Sequence, residues 1–383
     1  MSEIETGGRM RRTRGTLAAA RSAQALATAL LCCAVAAAAP AAPAQAGGVK
    51  AIWGPTELAA DNALCPAAGV RCSAFPVYQQ LGVDVFQYQI HWDAIAPTRP
   101  ENPRDPDDPA YNWGELDRIA LEAWRHGIRL ALLVQRAPAW ANGDRPPIWA
   151  PPNPRTFADF MFAASRHLPS VRMWMIWGEP GRAENFRPMS ESSPAGTRLY
   201  ARMLDAAYAA LKRAQPSNLV VGGMTLNGGT VMPPRFIHWL KLPNGRPPRM
   251  DLWGHNPFDG RFPRLADEPI GRFRGFNDID TLYEQIRRVH RGAHRPVPRL
   301  WLSEWTVISD KPSRIFLKFH VSPREQARWL RAAFGIARRT PYVAGMGWFT
   351  LLDEPAGPGS ANWGLLRADG APKPAFAAYQ RVP

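Results

Sequence analysis

Two glutamates in this chain each stand at the end of an almost wholly apolar run. Glu179 closes the stretch VRMWMIWGEP (171–180), and Glu304 closes PRLWLSEWT (298–306). A carboxylate delivered to such a place is costly to desolvate unless it has a partner or a chemical task. Two of them facing each other could divide acid–base work. One carboxyl, protonated, would give its proton to a leaving oxygen; the other, ionised, would attack carbon or activate water. Cleavage of a glycosidic bond needs that division. The indole of Trp177 or Trp305, beside these acids in the sequence, could desolvate one of them and raise its pKa.

Other chemistries find no footing. There is no Ser-His-Asp set, and no His or Cys stands at metal-ligand spacing. The turn after the first apolar run reads WGPTEL, without the glycine pattern of a dinucleotide site. Neither a metal nor an organic cofactor is expected. The net charge of +15 comes mostly from scattered Arg. Without a basic block or aromatic–basic alternation it reads as solvated surface and not as a nucleic-acid footprint, with an acidic glycan or an anionic cell surface as the alternative partner. Fifteen Trp suit a large core and also suit stacking on sugar faces.

The elements that must carry the two acids can be read from periodicity. Strand-like runs fall at 49–54, 83–92, 128–135, 171–180, 218–225, 249–258, 298–306 and 343–352. Between and after them lie helical patterns at 73–82, 113–127, 155–168, 193–216, 232–241, 279–292, 322–339 and 372–381. Ser193 is a candidate N-cap, and Ser322 with Glu325 forms a capping-box pattern. Eight β/α units predict a single-domain (β/α)8 TIM barrel, α/β in class, with a doubly wound open sheet as the runner-up. In a barrel, function gathers at the C-terminal strand ends. There the sequence offers Glu179 and Glu304 as catalytic candidates, on the fourth and seventh strands. Trp53, Gln89, His91, His255 and Trp348 are candidates for substrate contact; Gln87, Trp92, Gln135, Arg136 and Asn256 occupy other strand ends. Asp93, Asp259 and Asp353 read as loop acids. Alternation decides whether Gln89 or His91 faces inward.

Residues 1–46 read as a signal peptide. A basic segment with Arg9, Arg11, Arg12 and Arg14 precedes the apolar stretch 25–39 and an A-x-A site at Ala44-Gln45-Ala46. The mature chain, 47–383, would be secreted or otherwise extracytoplasmic, without stable membrane insertion. Cys32 and Cys33 would leave with the signal. Cys65 and Cys72 would then close a small disulfide loop.

WGEP (177–180) on the fourth strand and SEW (303–305) on the seventh resemble the acid/base and nucleophile motifs of the clan A glycoside hydrolases, the 4/7 retaining barrels. The nearest resemblance is to their family 39-like and family 5-like bacterial members. YNWGELDRIALEAWRHGIRLALLV, WGEPGRAENFRP and NWGLLRADGAPKPAFAAY (362–379) extend it over most of the mature chain. The resemblance implies Glu179 as general acid/base and Glu304 as nucleophile. It also implies His255 orienting the nucleophile region and Trp348 as a platform under the sugar. The chain departs from the clan at Gly178, where Asn is usual and hydrogen-bonds the sugar 2-hydroxyl. Gln89, His91 and Asn185 are the replacements considered; a substrate without an ordinary 2-hydroxyl, or low activity, are the alternatives. The reading is an exported retaining glycosidase for a β-linked oligo- or polysaccharide. A non-catalytic carbohydrate-binding barrel and a transglycosylase are the competing readings.

Overall fold

The computed structural model describes residues 48–54, 64, 72–265, 268–312, 319–357 and 359–382. The expected signal segment and Cys65 lie outside the described residues. The strands are β1 (Val49–Trp53), β2 (Val85–His91), β3 (Arg129–Gln135), β4 (Met173–Ile176), β5 (Leu219–Leu226), β6 (Leu252–Asn256), β7 (Arg299–Trp305) and β8 (Val343–Phe349). They pair in sequence order, all parallel, into a closed barrel in which β8 returns to β1. Among the described residues ten α-helices accompany them: α1 (Phe75–Gln80), α2 (Trp92–Ile95), α3 (Gly114–Arg125), α4 (Ala139–Asn142), α5 (Pro154–His167), α6 (Ala195–Ala214), α7 (Pro233–Trp239), α8 (Ile279–Gly292), α9 (Pro323–Arg339) and α10 (Pro374–Arg381). This is the expected (β/α)8 barrel.

Each expected strand and helix forms, with ends displaced by a few residues. The α9 capping box forms as expected, Ser322 Oγ accepting from the Glu325 N–H and Glu325 accepting from the Ser322 N–H. Ser193 does not cap α6. The helix starts later, behind Pro194, and Ser193 Oγ accepts instead from the Ala195 N–H at 3.3 Å. Two one-turn helices, α2 and α4, break the loops after β2 and β3; the Pro-rich composition there hid them.

Two apolar layers follow from strand alternation. One face of each strand packs against the surrounding helices, through Phe86, Leu132, Trp174, Ile176, Leu302, Trp305, Met346 and Trp348 among others. The other face fills the barrel lumen with Ala51, Trp53, Val85, Ala131, Leu133, Met173, Met175, Val221 and Trp301. Polar groups inside the lumen are paired across it. Gln87 accepts from the Trp301 indole at 2.8 Å and donates to the Ser303 carbonyl at 2.8 Å; the Trp53 indole donates to that carbonyl at 2.8 Å. Gly345 and Gly347 on β8 make room for this layer. A Cβ at Gly345 would stand 2.2 Å from the Trp301 ring, and one at Gly347 would stand 2.3 Å from Gln87 Nε2. Among the described residues no helix is long and apolar enough to cross a membrane.

Candidate active site

The site opens at the C-terminal mouth of the barrel, as a cleft of about 1500 Å³ whose lining includes both glutamates. The chain leaves β4 abruptly. Trp177 (φ 61°) and Glu179 (φ 44°) both hold left-handed backbone around Gly178, a conformation that is strained for non-glycine residues. The Tyr200 hydroxyl donates to the Ile176 carbonyl at 2.7 Å, and the buried Trp177 indole donates to the Asn185 carbonyl at 2.8 Å. These contacts offset the strain and fix the segment 176–185. Its irregular backbone carries the Glu179 side chain to the cleft, with 12% of that side chain exposed.

Glu304 reaches the cleft by a different device. Strict alternation along β7 would send it outward, because Trp301 and Ser303 face the lumen. The register against β8 slips between Leu302 and Trp305. That bulge lets Ser303 and Glu304 both face the lumen side, while Trp305 returns to the helix layer.

Around Glu179 three side chains donate. Arg182 Nη1 lies 2.8 Å and Asn185 Nδ2 3.3 Å from one carboxyl oxygen, and Asn256 Nδ2 lies 2.9 Å from the other. A carboxylate accepts all three; a carboxylic acid would place its own proton against donors. Burial and the Glu179 charge push the Glu304 carboxyl up to about 8, against the opposing pull of Asn256 and Arg182. Two carboxyls in one cleft make it costly to ionise both, and the one raised by this is Glu304.

The sequence candidates fall into two groups. Trp53, Gln89 and Asn185 line the cleft with the two acids. His91 sits behind Gln89, its Nε2 2.8 Å from Gln89 Nε2. The side chains of both leave the lumen face of β2; Gln89 is exposed and His91 partly buried. His255 and Trp348 do not line the cleft. His255 is fully buried, with Nε2 2.9 Å from the Arg274 carbonyl and Nδ1 2.8 Å from Thr225 Oγ1. The carbonyl must accept, so Nε2 carries the proton and the Thr225 hydroxyl donates to Nδ1. Burial lowers the imidazole to about 4. It is a neutral strut between β5, β6 and the loop after β6. Trp348 is fully buried on the helix side of β8, its ring centroid 5.7 Å from that of Trp305. It cannot serve as the sugar platform the resemblance implied. The next residue, Phe349, faces the cleft instead, with Trp363 edge-on to it at 5.4 Å between centroids. The sequence signal was available: Gly345 and Gly347 share the period-two face with Phe349 and not with Trp348.

Arg182, Asn256, Gln135 and Tyr88 complete the polar lining or its immediate support. Arg182 was missed because nothing in the sequence ties an arginine three residues on to the acid until the turn after β4 folds it back. Asp353, read as a loop acid, also reaches the cleft; it is almost wholly buried and paired to Lys373 at 2.9 Å. Among the described residues no group of three His, Cys, Asp or Glu could hold a metal ion.

The fold and site define a parallel eight-stranded barrel with paired carboxylates at its C-terminal mouth. Solved structures that it resembles include glycoside hydrolases of family 39. A family 39 glycoside hydrolase from the gut symbiont Bacteroides cellulosilyticus WH2 superposes with a TM-score of 0.59 at 17% identity, over 88% of this chain and 64% of that one. A glucosidase from Croceicoccus marinus gives 0.58 at 17% identity, over 88% and 66%. A family 39 β-xylosidase from Caulobacter crescentus gives 0.56 at 17% identity, over 88% and 71%. This chain therefore spans 64–71% of the length of these three proteins. No protein-family model matches the sequence, and no curated protein matches it.

Proposed function

We propose that this protein is a retaining glycoside hydrolase acting on a β-linked glycan, exported from the cytoplasm. The observation that carries the proposal is the pair Glu179 and Glu304, brought from β4 and β7 to one cleft, with Asn256 donating to Glu179 at 2.9 Å between them. Binding of a glycoside between the acids displaces Arg182 from Glu179 and moves the proton to it. Glu179 then gives that proton to the glycosidic oxygen as the carbon–oxygen bond breaks, and Glu304 forms the bond to the anomeric carbon. In the second step water attacks that carbon, Glu179 takes its proton, and Glu304 leaves as a carboxylate. Phe349 and Trp363 serve as the stacking surface. A retaining mechanism requires a carboxyl separation of about 5–5.5 Å in the substrate complex.

The test is turnover of aryl β-D-xyloside, β-D-glucoside and β-D-glucuronide by the mature chain, with Glu179→Ala and Glu304→Ala alongside. Each variant is expected to lose turnover by at least about a thousandfold. Azide should rescue both, giving the β-azide with Glu179→Ala and the α-azide with Glu304→Ala. Unchanged turnover in either variant refutes its role.

One observation favours a second reading, a non-catalytic carbohydrate-binding barrel. Glu179, the acid that must donate a proton, is held instead in an ion pair with Arg182 at 2.8 Å. Calorimetric binding of a glycan without hydrolysis over long incubation would select that reading. Export and the Cys65–Cys72 disulfide are part of the proposal; an amino terminus at Gly47 and the absence of titratable thiol in the secreted protein are the expected results.

A further inference from the structure

Gly178 leaves the residue before Glu179 without a side chain, and the space beside it is already filled. A Cβ built there would stand 2.8 Å from Gln135 Oε1, with Leu133 at 3.4 Å. Gln135 ends β3 on the lumen face, in alternation with Ala131 and Leu133, and lines the cleft with both glutamates. Its Oε1 accepts from the Gly178 N–H at 3.2 Å. That contact fixes the orientation of the amide, because a backbone N–H must face the oxygen and not the nitrogen. With Oε1 taken, the group the side chain can offer a ligand is the Nε2 donor.

We propose that Gln135 supplies, from the neighbouring strand, the amide donor that position 178 lacks, and that it binds the sugar hydroxyl next to the reacting carbon. The proposal rests on the glycosidase reading above. In it, glycine at 178 is the second half of an exchange: an amide reaching inward from β3 excludes any side chain at the start of the β4 turn. None of Gln89, His91 and Asn185 stands in that space: Gln89 and His91 pair with each other on β2, and Asn185 holds Glu179. A hydrogen bond to the 2-hydroxyl strengthens as charge develops at the anomeric carbon, so the loss should fall on kcat more than on KM.

The experiment compares aryl β-D-glucoside with its 2-deoxy counterpart for the wild type, Gln135→Ala, Gln135→Met and the double variant Gln135→Ala/Gly178→Asn. The expected results are a loss in kcat/KM of about 10- to 100-fold on the glucoside for both single variants, a change within about twofold on the 2-deoxy substrate, and recovery of at least about tenfold in the double variant. Gln135→Met keeps most of the side-chain volume and removes the donor without adding charge, so it reads the same term if the alanine variant unfolds. Equal losses on the two substrates, or no loss, overturn the proposal while leaving the hydrolase reading intact. If the wild type binds the glucoside without cleaving it, the same comparison is made on Kd by calorimetry. A wild type that neither cleaves nor binds any of the aryl glycosides refutes the glycosidase reading itself.

Discussion

At the scale of single residues, the proposed chemistry turns on where one proton sits. Burial and the Glu179 charge raise Glu304 to about 8, well above the ordinary carboxyl value. In the proposed mechanism the one-proton form of the pair is the reactive form, so kcat/KM should fall as pH rises through about 8. Arg182 opposes that rise; Arg182→Ala should therefore move the alkaline limb to higher pH, and a limb that stays put or moves down would contradict the assignment. The same shift has a stability consequence. A group whose pKa is higher in the folded state contributes stability that is present below its unfolded value and lost as pH rises through the folded one. Glu304→Gln should thus be nearly neutral near pH 4 and stabilising at pH 9, by about 1–4 kcal/mol, measured as the difference between urea midpoints at the two pH values. A gain at pH 4 instead would invert the sign and reject the account. Both glutamates were legible in the sequence, since an acid at the end of an apolar strand is a conspicuous expense. Arg182 and Gln135 were not singled out, because their importance is a distance to another residue and leaves no local pattern.

At the scale of elements, the site depends on two departures from regularity. The first is the left-handed turn at Trp177 and Glu179, anchored by the Tyr200 hydroxyl on the Ile176 carbonyl. Tyr200→Phe leaves that carbonyl without its donor in a buried place. It should cost about 1–3 kcal/mol in urea unfolding and lower kcat as the β4 turn loosens. A variant with wild-type stability would mean the bond is dispensable. The second is the β7 bulge that turns Glu304 inward. The strands themselves were plain from hydrophobic runs, and the α9 capping box from Ser322 and Glu325. A bulge is not visible in a single sequence, because the extra residue changes pairing and not composition. The misplaced Trp348 has the same origin: a strand end gives the right neighbourhood, and the face is decided by register.

At the scale of the whole barrel, the C-terminal segment closes the structure and shapes the cleft rim. Asp353, just beyond β8, pairs at 2.9 Å with Lys373 at the start of α10, both nearly inaccessible to solvent. Across the closure, Lys50 on β1 donates to the carbonyls of Tyr379 and Val382 at the end of α10, at 3.1 and 2.8 Å. Removing one member of a buried pair leaves an uncompensated charge. Lys373→Met should destabilise by about 3–5 kcal/mol, and Asp353→Asn/Lys373→Met should recover a substantial part of that loss. Additive losses in the double variant would show that the two side chains do not act as a pair.

The sequence by itself determined the class of fold and the two acids. Hydrophobic period and strand-end polarity are local properties, and eight repeats of them leave few topologies open. Tertiary structure decided which side chains meet: Asn256 from β6 and Arg182 from the β4 turn on Glu179, Gln135 in the space beside Gly178, Phe349 and not Trp348 at the cleft. Those outcomes depend on register, bulge and backbone strain across strands far apart in the chain, and hydrogen-bond partners separated by dozens of residues have no signature until the barrel closes.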